Sequence, residues 1–66
     1  MPITGPDLRA ERRLADITVK DVAARMGLSR QTVHGLEGRA VLTVEQVDAY
    51  RAALQDAIKA SREKVA

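Results

Sequence analysis

Residues 18–37 read TVKDVAARMGLSRQTVHGLE, and this stretch decides the fold. Its apolar residues recur at helical rather than strand spacing, with Val22, Ala23 and Met26 before the glycine and Leu28, Val33 and Leu36 after it. Thr18 stands as the N-cap of a helix, and Asp21 three residues later takes the acidic position of a capping box. Gly27 supplies the positive-φ stop. Ser29 then caps a second helix expected to run to about Glu37, where Gly38 ends it. Ala23 is small because the two helices cross closely there, and Leu28, Val33 and Leu36 anchor the second helix from beneath. Arg30, Gln31, Thr32, His34 and Gly35 are left on its outward face.

Upstream, a first helix is expected to begin near Pro6 and Asp7 and to run to about Ala15. Proline is tolerated in a first helical turn, and an aspartate there suits the positive end of the helix dipole. Leu8 and Ala15 face inward with Glu11 and Arg12 between them, Asp16 takes the left-handed conformation that ends the helix, and Ile17 tucks into the core. Downstream, Arg39, Ala40, Val41 and Leu42 form a loop whose apolar residues are expected to plug the core. Thr43, with Gln46 three residues later, opens a last helix over about 44–62, striped by Val47, Tyr50, Leu54 and Ile58. Tyr50 reads as a core-edge residue. No stretch alternates apolar and polar residues long enough to make a strand. The expectation is one all-α domain over residues 1–66, compact, with four to five helices and a long C-terminal one.

Composition narrows the function classes. The 66 residues include no cysteine and one histidine, which rules out disulfides and thiolate metal sites and leaves no zinc ligand set. Apolar residues are 45% and charged residues 30%, a balance that suits a folded domain. The one aromatic residue, Tyr50, is too little for stacking on unpaired bases, so single-stranded nucleic acid is not the expected target. The net charge is only +2, but residues 1–42 carry seven Arg/Lys against five Asp/Glu while residues 43–66 carry four of each. The excess therefore lies in the first two-thirds, where a polyanion is the natural partner. Residues 1–4 lack the charged and apolar regions of a signal peptide, and no apolar run reaches the length of about 18 residues needed to span a membrane. A cytoplasmic protein of a bacterial host cell, without membrane contact, cofactor or small-molecule ligand, is the expectation. An enzyme is not expected: the chain has no glycine-rich phosphate loop and is too short to enclose a ligand-sized pocket.

The register Ala23, Gly27, Ser29, Val33, Leu36, Glu37 resembles the Cro and lambda-repressor-like helix-turn-helix family, and the resemblance covers about residues 8–54. It implies that residues 18–37 form a helix-turn-helix whose second helix enters the major groove of duplex DNA. Family members carry a buried Arg–Glu pair between the first helix and the end of the recognition helix, and Arg12 and Glu37 occupy the matching positions. The base-reading role falls on Arg30 and Gln31, with Thr32, His34 and Gly35 on the same face. Arginine suits guanine O6 and N7, and glutamine suits adenine N6 and N7. Thr18, Val19, Gly38, Arg39 and Ala40 fall at phosphate-contacting positions, and Arg9 and Arg13 either flank the backbone or form a solvated face.

This chain departs from the family at two of these positions. Val19 stands where the family has a phosphate-clamping glutamine, and Gly35 stands where it has a long polar side chain. Gly35 either allows close approach to DNA or shortens the base readout. The resemblance implies a sequence-specific regulator of the phage Cro or compact repressor kind, acting by promoter occlusion. Its expected partner is a double-stranded operator, with a homodimer through residues 55–66, where Ile58 and Val65 are candidates. The alternative is a protein-interaction module on the same fold, antitoxin-like or anti-repressor.

Overall fold

Each helix starts where a hydroxyl side chain can satisfy an amide of its first turn. The computed structural model describes residues 2–64, and its helices are α1 (Gly5–Leu14), α2 (Val19–Met26), α3 (Arg30–Glu37) and α4 (Val44–Lys64), with no strand among the described residues. Thr18 Oγ1 accepts the Asp21 amide at 3.1 Å and Ser29 Oγ accepts the Thr32 amide at 3.2 Å. At α4, Thr43 and Gln46 form a reciprocal box, with the Gln46 amide donating to Thr43 Oγ1 at 3.1 Å and the Thr43 amide donating to Gln46 Oε1 at 2.9 Å. An equivalent box exists at α1, where Thr4 and Asp7 exchange hydrogen bonds. The expected start of α1 at Pro6 and Asp7 therefore moves back to Gly5: Asp7 is the third helical residue, reaching back to its cap.

Helices α1 and α2 end in the same way. The Asp16 amide donates to the Arg13 carbonyl and the Ile17 amide to the Arg12 carbonyl, with Asp16 at φ 59°. The Gly27 amide donates to the Ala24 carbonyl and the Leu28 amide to the Ala23 carbonyl, with Gly27 at φ 70°. Both are Schellman terminations, which need one left-handed residue each. α1 accordingly stops at Leu14, one residue short of the expected end. Only two residues separate Gly27 from the first residue of α3, so the turn fixes how α3 leaves α2.

The core consists of Leu8, Ile17, Val22, Ala23, Val33, Tyr50, Ala53, Leu54 and Ala57, with Ala15, Val19, Met26, Leu42, Val47 and Ile58 half-buried against it. Helix α2 lies on α4, and α3 packs on α2 and α1 but not backbone to backbone on α4. Ala53 and Ala57 complete the α4 stripe with side chains small enough for α2 to lie close.

Three expectations change. Tyr50 is 0% exposed and central to the core. Leu28 is 41% exposed and does not anchor α3 from beneath. Val41 is 81% exposed, Ala40 is exposed, and only Leu42 of the loop packs inward. The loop is held by its backbone, since the Arg39 carbonyl accepts the Gly5 amide at 2.7 Å. Ile58 is half-buried against its own core, and Val65 and Ala66 lie outside the described residues. No helix among the described residues is long and apolar enough to cross a membrane.

Candidate nucleic-acid interface

Val33, Leu36 and Glu37 form the buried stripe of α3, so helical periodicity turns the rest of it outward. Arg30, Gln31, Thr32, His34 and Gly35 are all exposed, as the sequence led us to expect. Thr32 is partly committed, because its hydroxyl lies 2.9 Å from Ser29 Oγ at the cap. Among the proposed phosphate positions, Thr18, Gly38, Arg39 and Ala40 are exposed, while the Val19 side chain packs on the core. Val19 therefore offers an anion only its backbone amide, at the positive end of α2.

What holds α3 in this attitude is a buried polar cluster. Glu37 Oε2 accepts from Arg12 Nε at 2.8 Å and from the Tyr50 hydroxyl at 2.6 Å, and Oε1 accepts from Arg12 Nη2 at 3.1 Å. Arg12 Nη1 donates to the Ile17 carbonyl at 2.8 Å. The side chains are 12% and 3% exposed for Arg12 and Glu37. The Arg12–Glu37 pair thus ties α1, the turn after α1, α3 and α4 together, and no buried side-chain nitrogen or oxygen among the described residues lacks a hydrogen-bond partner. The Tyr50 phenol spans α3 and α4, which have no direct backbone packing. The Arg12–Glu37 pair was expected from the family resemblance alone; the third member was not expected. The signal was that a single tyrosine in an otherwise aliphatic stripe brings a hydroxyl that needs a partner once buried.

Electrostatics follow from this geometry. Burial pushes the Glu37 carboxyl upward, but the hydrogen bonds from Arg12 and Tyr50, with the Arg12 charge, outweigh it and hold the group below its ordinary range. Burial, then the hydrogen bond to Glu37, pushes the Tyr50 hydroxyl well above its ordinary value. As pH falls, the unfolded chain therefore protonates Glu37 before the folded one does. The stability from this group is present above about pH 4.3, the unfolded carboxyl value, and is lost on further acidification through the lower folded value. Tyr50 acts at the other end: its contribution is intact below about pH 10 and declines as pH rises through the raised folded value. Thermal midpoints measured from pH 3 to 11 should show a plateau falling at both ends. In Glu37→Gln the acid limb should be shallower, and an unchanged limb would show that other carboxylates produce it.

Three arginines are engaged in ion pairs within the chain, one buried and two at the surface. Besides Arg12, Arg51 pairs with Glu11 (Nη2 to Oε2 2.6 Å) and Arg25 with Asp56 (2.8 Å). Arg9, Arg13, Lys20, Arg30 and Arg39 have no ion-pair partner among the described residues. Two shallow depressions flank Arg12. One, between α1 and α3, brings together Arg9, Arg12, His34, Glu37 and Gly38; the other, where α1 meets α2, brings together Arg12, Arg13, Asp16, Ile17, Thr18 and Val19. The structure thus joins His34 and Gly38 to Arg9, and Thr18 and Val19 to Arg13. Arg39 and Ala40 line neither depression.

Comparison with known protein families, with curated proteins and with solved structures finds no match.

Proposed function

We propose that this protein is a sequence-specific, double-stranded DNA-binding transcriptional regulator on a lambda-repressor-like helix-turn-helix. α2 and α3 form the motif, and α3 is the recognition helix. The observation that carries this reading is the outward face of α3, where Arg30, Gln31, His34 and Gly35 are exposed on a helix braced from below by buried Glu37. Arg30 and Gln31 sit in the first turn, with the donors and acceptors that discriminate guanine and adenine edges. Arg9 beside His34 of that helix, and Arg13 beside the start of α2, offer cationic and amide groups suited to phosphates. Regulation follows by occluding a promoter. A homodimer would set two α3 helices about 34–36 Å apart on a palindromic site.

The test is titration of duplex DNA at two salt concentrations, followed by selection of bound sites from random duplexes. Affinity should fall steeply as salt rises. Arg30→Ala should cost about 1–3 kcal/mol and relax preference at one base position. Arg39→Ala should weaken all sequences alike and reduce the salt slope by about 1. Identical behaviour of the two variants would refute the division of roles.

A second reading, a protein-interaction module, has its own observation. Val41 and Val44 are exposed beside a groove lined by Pro2, Ile3, Leu42, Val44, Val47 and Asp48. Under that reading duplex binding is negligible at both salt concentrations.

A further inference from the structure

Two of the chain's four glycines have an internal reason to be glycine. A Cβ on Gly5 would collide with the Leu36 and Glu37 backbone, and Gly27 has positive φ. Gly35 and Gly38 have none. Neither has positive φ; a Cβ on Gly35 meets nothing within 4 Å, and one on Gly38 meets only carbonyl oxygens at 3.7 Å, ordinary van der Waals contact. Gly35 also lies inside α3, where glycine costs about 1 kcal/mol relative to alanine. The fold would gain from a side chain at this position.

Both unexplained glycines fall on one line. Helical geometry advances about 100° per residue. Counting from the buried stripe of Val33, Leu36 and Glu37, the point of α3 farthest from the core falls among Gln31, Gly35 and Gly38. The crest of the helix is therefore bare backbone beyond Gln31. Side chains stand on its flanks, Arg30 and His34 on one side and Thr32 on the other. A helix of this section can sink until its backbone touches a flat surface while its flanking side chains reach around that surface.

We propose that the crest formed by Gln31, Gly35 and Gly38 is the line on which the α3 backbone seats against the floor of the major groove, with Gly35 the specificity-determining position. This rests on the DNA-binding reading above. A Cβ at position 35 lifts the helix by about the size of a methyl group and draws Arg30 and Gln31 away from the base edges. Glycine here lets the first-turn side chains reach bases that a bulkier crest would hold out of range. Close seating is short-range, so its loss leaves the number of phosphate contacts unchanged.

The experiment compares wild type, Gly35→Ala and Gly38→Ala for thermal midpoint and for binding to a duplex that wild type selects from random sequence. Gly35→Ala should raise the midpoint by about 4–8 °C. It should weaken binding to the selected duplex on the order of tenfold or more, with the salt slope unchanged. Gly38→Ala, at the end of the crest, should lose less affinity. A stabilised Gly35→Ala that binds the selected duplex as tightly as wild type overturns the inference while leaving the DNA-binding reading intact. Absence of duplex binding by wild type at low salt removes that reading itself, and this inference with it.

Discussion

Replacing Glu37 with alanine should destabilise the protein by about 3–5 kcal/mol, because it leaves the Arg12 guanidinium largely buried without its counter-charge. It also removes the acceptor of the Tyr50 hydroxyl, which is buried in the core. At about 0.05–0.15 kcal/mol per residue, a chain of 66 residues has only ~3–10 kcal/mol in total, so this one change removes much or all of it. Urea unfolding followed by circular dichroism reads the loss directly. Arg12→Ala should be of similar size, since it leaves the carboxylate as the buried charge and frees the Ile17 carbonyl. Tyr50→Phe should be much milder: the ring stays and Glu37 keeps both bonds from Arg12. A loss below about 1 kcal/mol in Glu37→Ala would mean that water reaches Arg12 readily and that the cluster does not brace α3.

The second large effect is expected at Gly5. Its amide donates to the Arg39 carbonyl at 2.7 Å, and its missing side chain lets α1 start directly against the last turn of α3. An alanine Cβ would press on the Leu36 carbonyl oxygen and lie 2.6 Å from the Glu37 carbonyl carbon and 2.7 Å from its oxygen. These are backbone atoms of the turn that carries the Glu37 carboxylate, so they cannot swing aside as a flexible side chain does. Either α1 backs away, pulling Arg12 from Glu37, or α3 tilts. Gly5→Ala should therefore cost about 3 kcal/mol, at the upper end for overpacking. Gly38→Ala, whose Cβ finds ordinary contact distances, is the control and should be close to neutral in stability. Equal midpoints for the two variants would show that residues 2–4 and the start of α1 move aside at little cost. Because both large effects pass through the same turn of α3, Gly5→Ala and Glu37→Ala should be less than additive in the double variant.

Much of this architecture was legible in the sequence because its determinants are local. A helix cap needs a hydroxyl and an amide three residues apart, and Thr18, Ser29 and Thr43 announce three of the four starts. A Schellman end needs one left-handed residue, and Asp16 and Gly27 mark both. The periodicity of residues 18–37 likewise placed Val33 and Leu36 inward and Arg30, Gln31, His34 and Gly35 outward. Where the reading missed, a local signal was overlooked or the deciding contact was distant. Thr4 and Asp7 carried a capping box as plain as that of Thr43 and Gln46, whereas at α2 only the Thr18 half of the expected box forms. Leu28 and Val41 are apolar, but whether an apolar residue finds a partner depends on where the other helices pass, and none covers these two.

The sequence by itself determined where the helices begin, how α1 and α2 end, and which face of each is apolar, since hydrogen bonds over three or four residues and a repeat of 3.6 depend on neighbours in the chain. Only the tertiary structure decided that Tyr50 completes the Arg12–Glu37 cluster, that Gly5 is a point of helix contact, and that Gly35 answers to nothing inside the protein. Those facts join residues 13 to 38 positions apart, or turn on empty space. Chain order does not encode such separations; they arise when α1, α3 and α4 converge on one buried carboxylate.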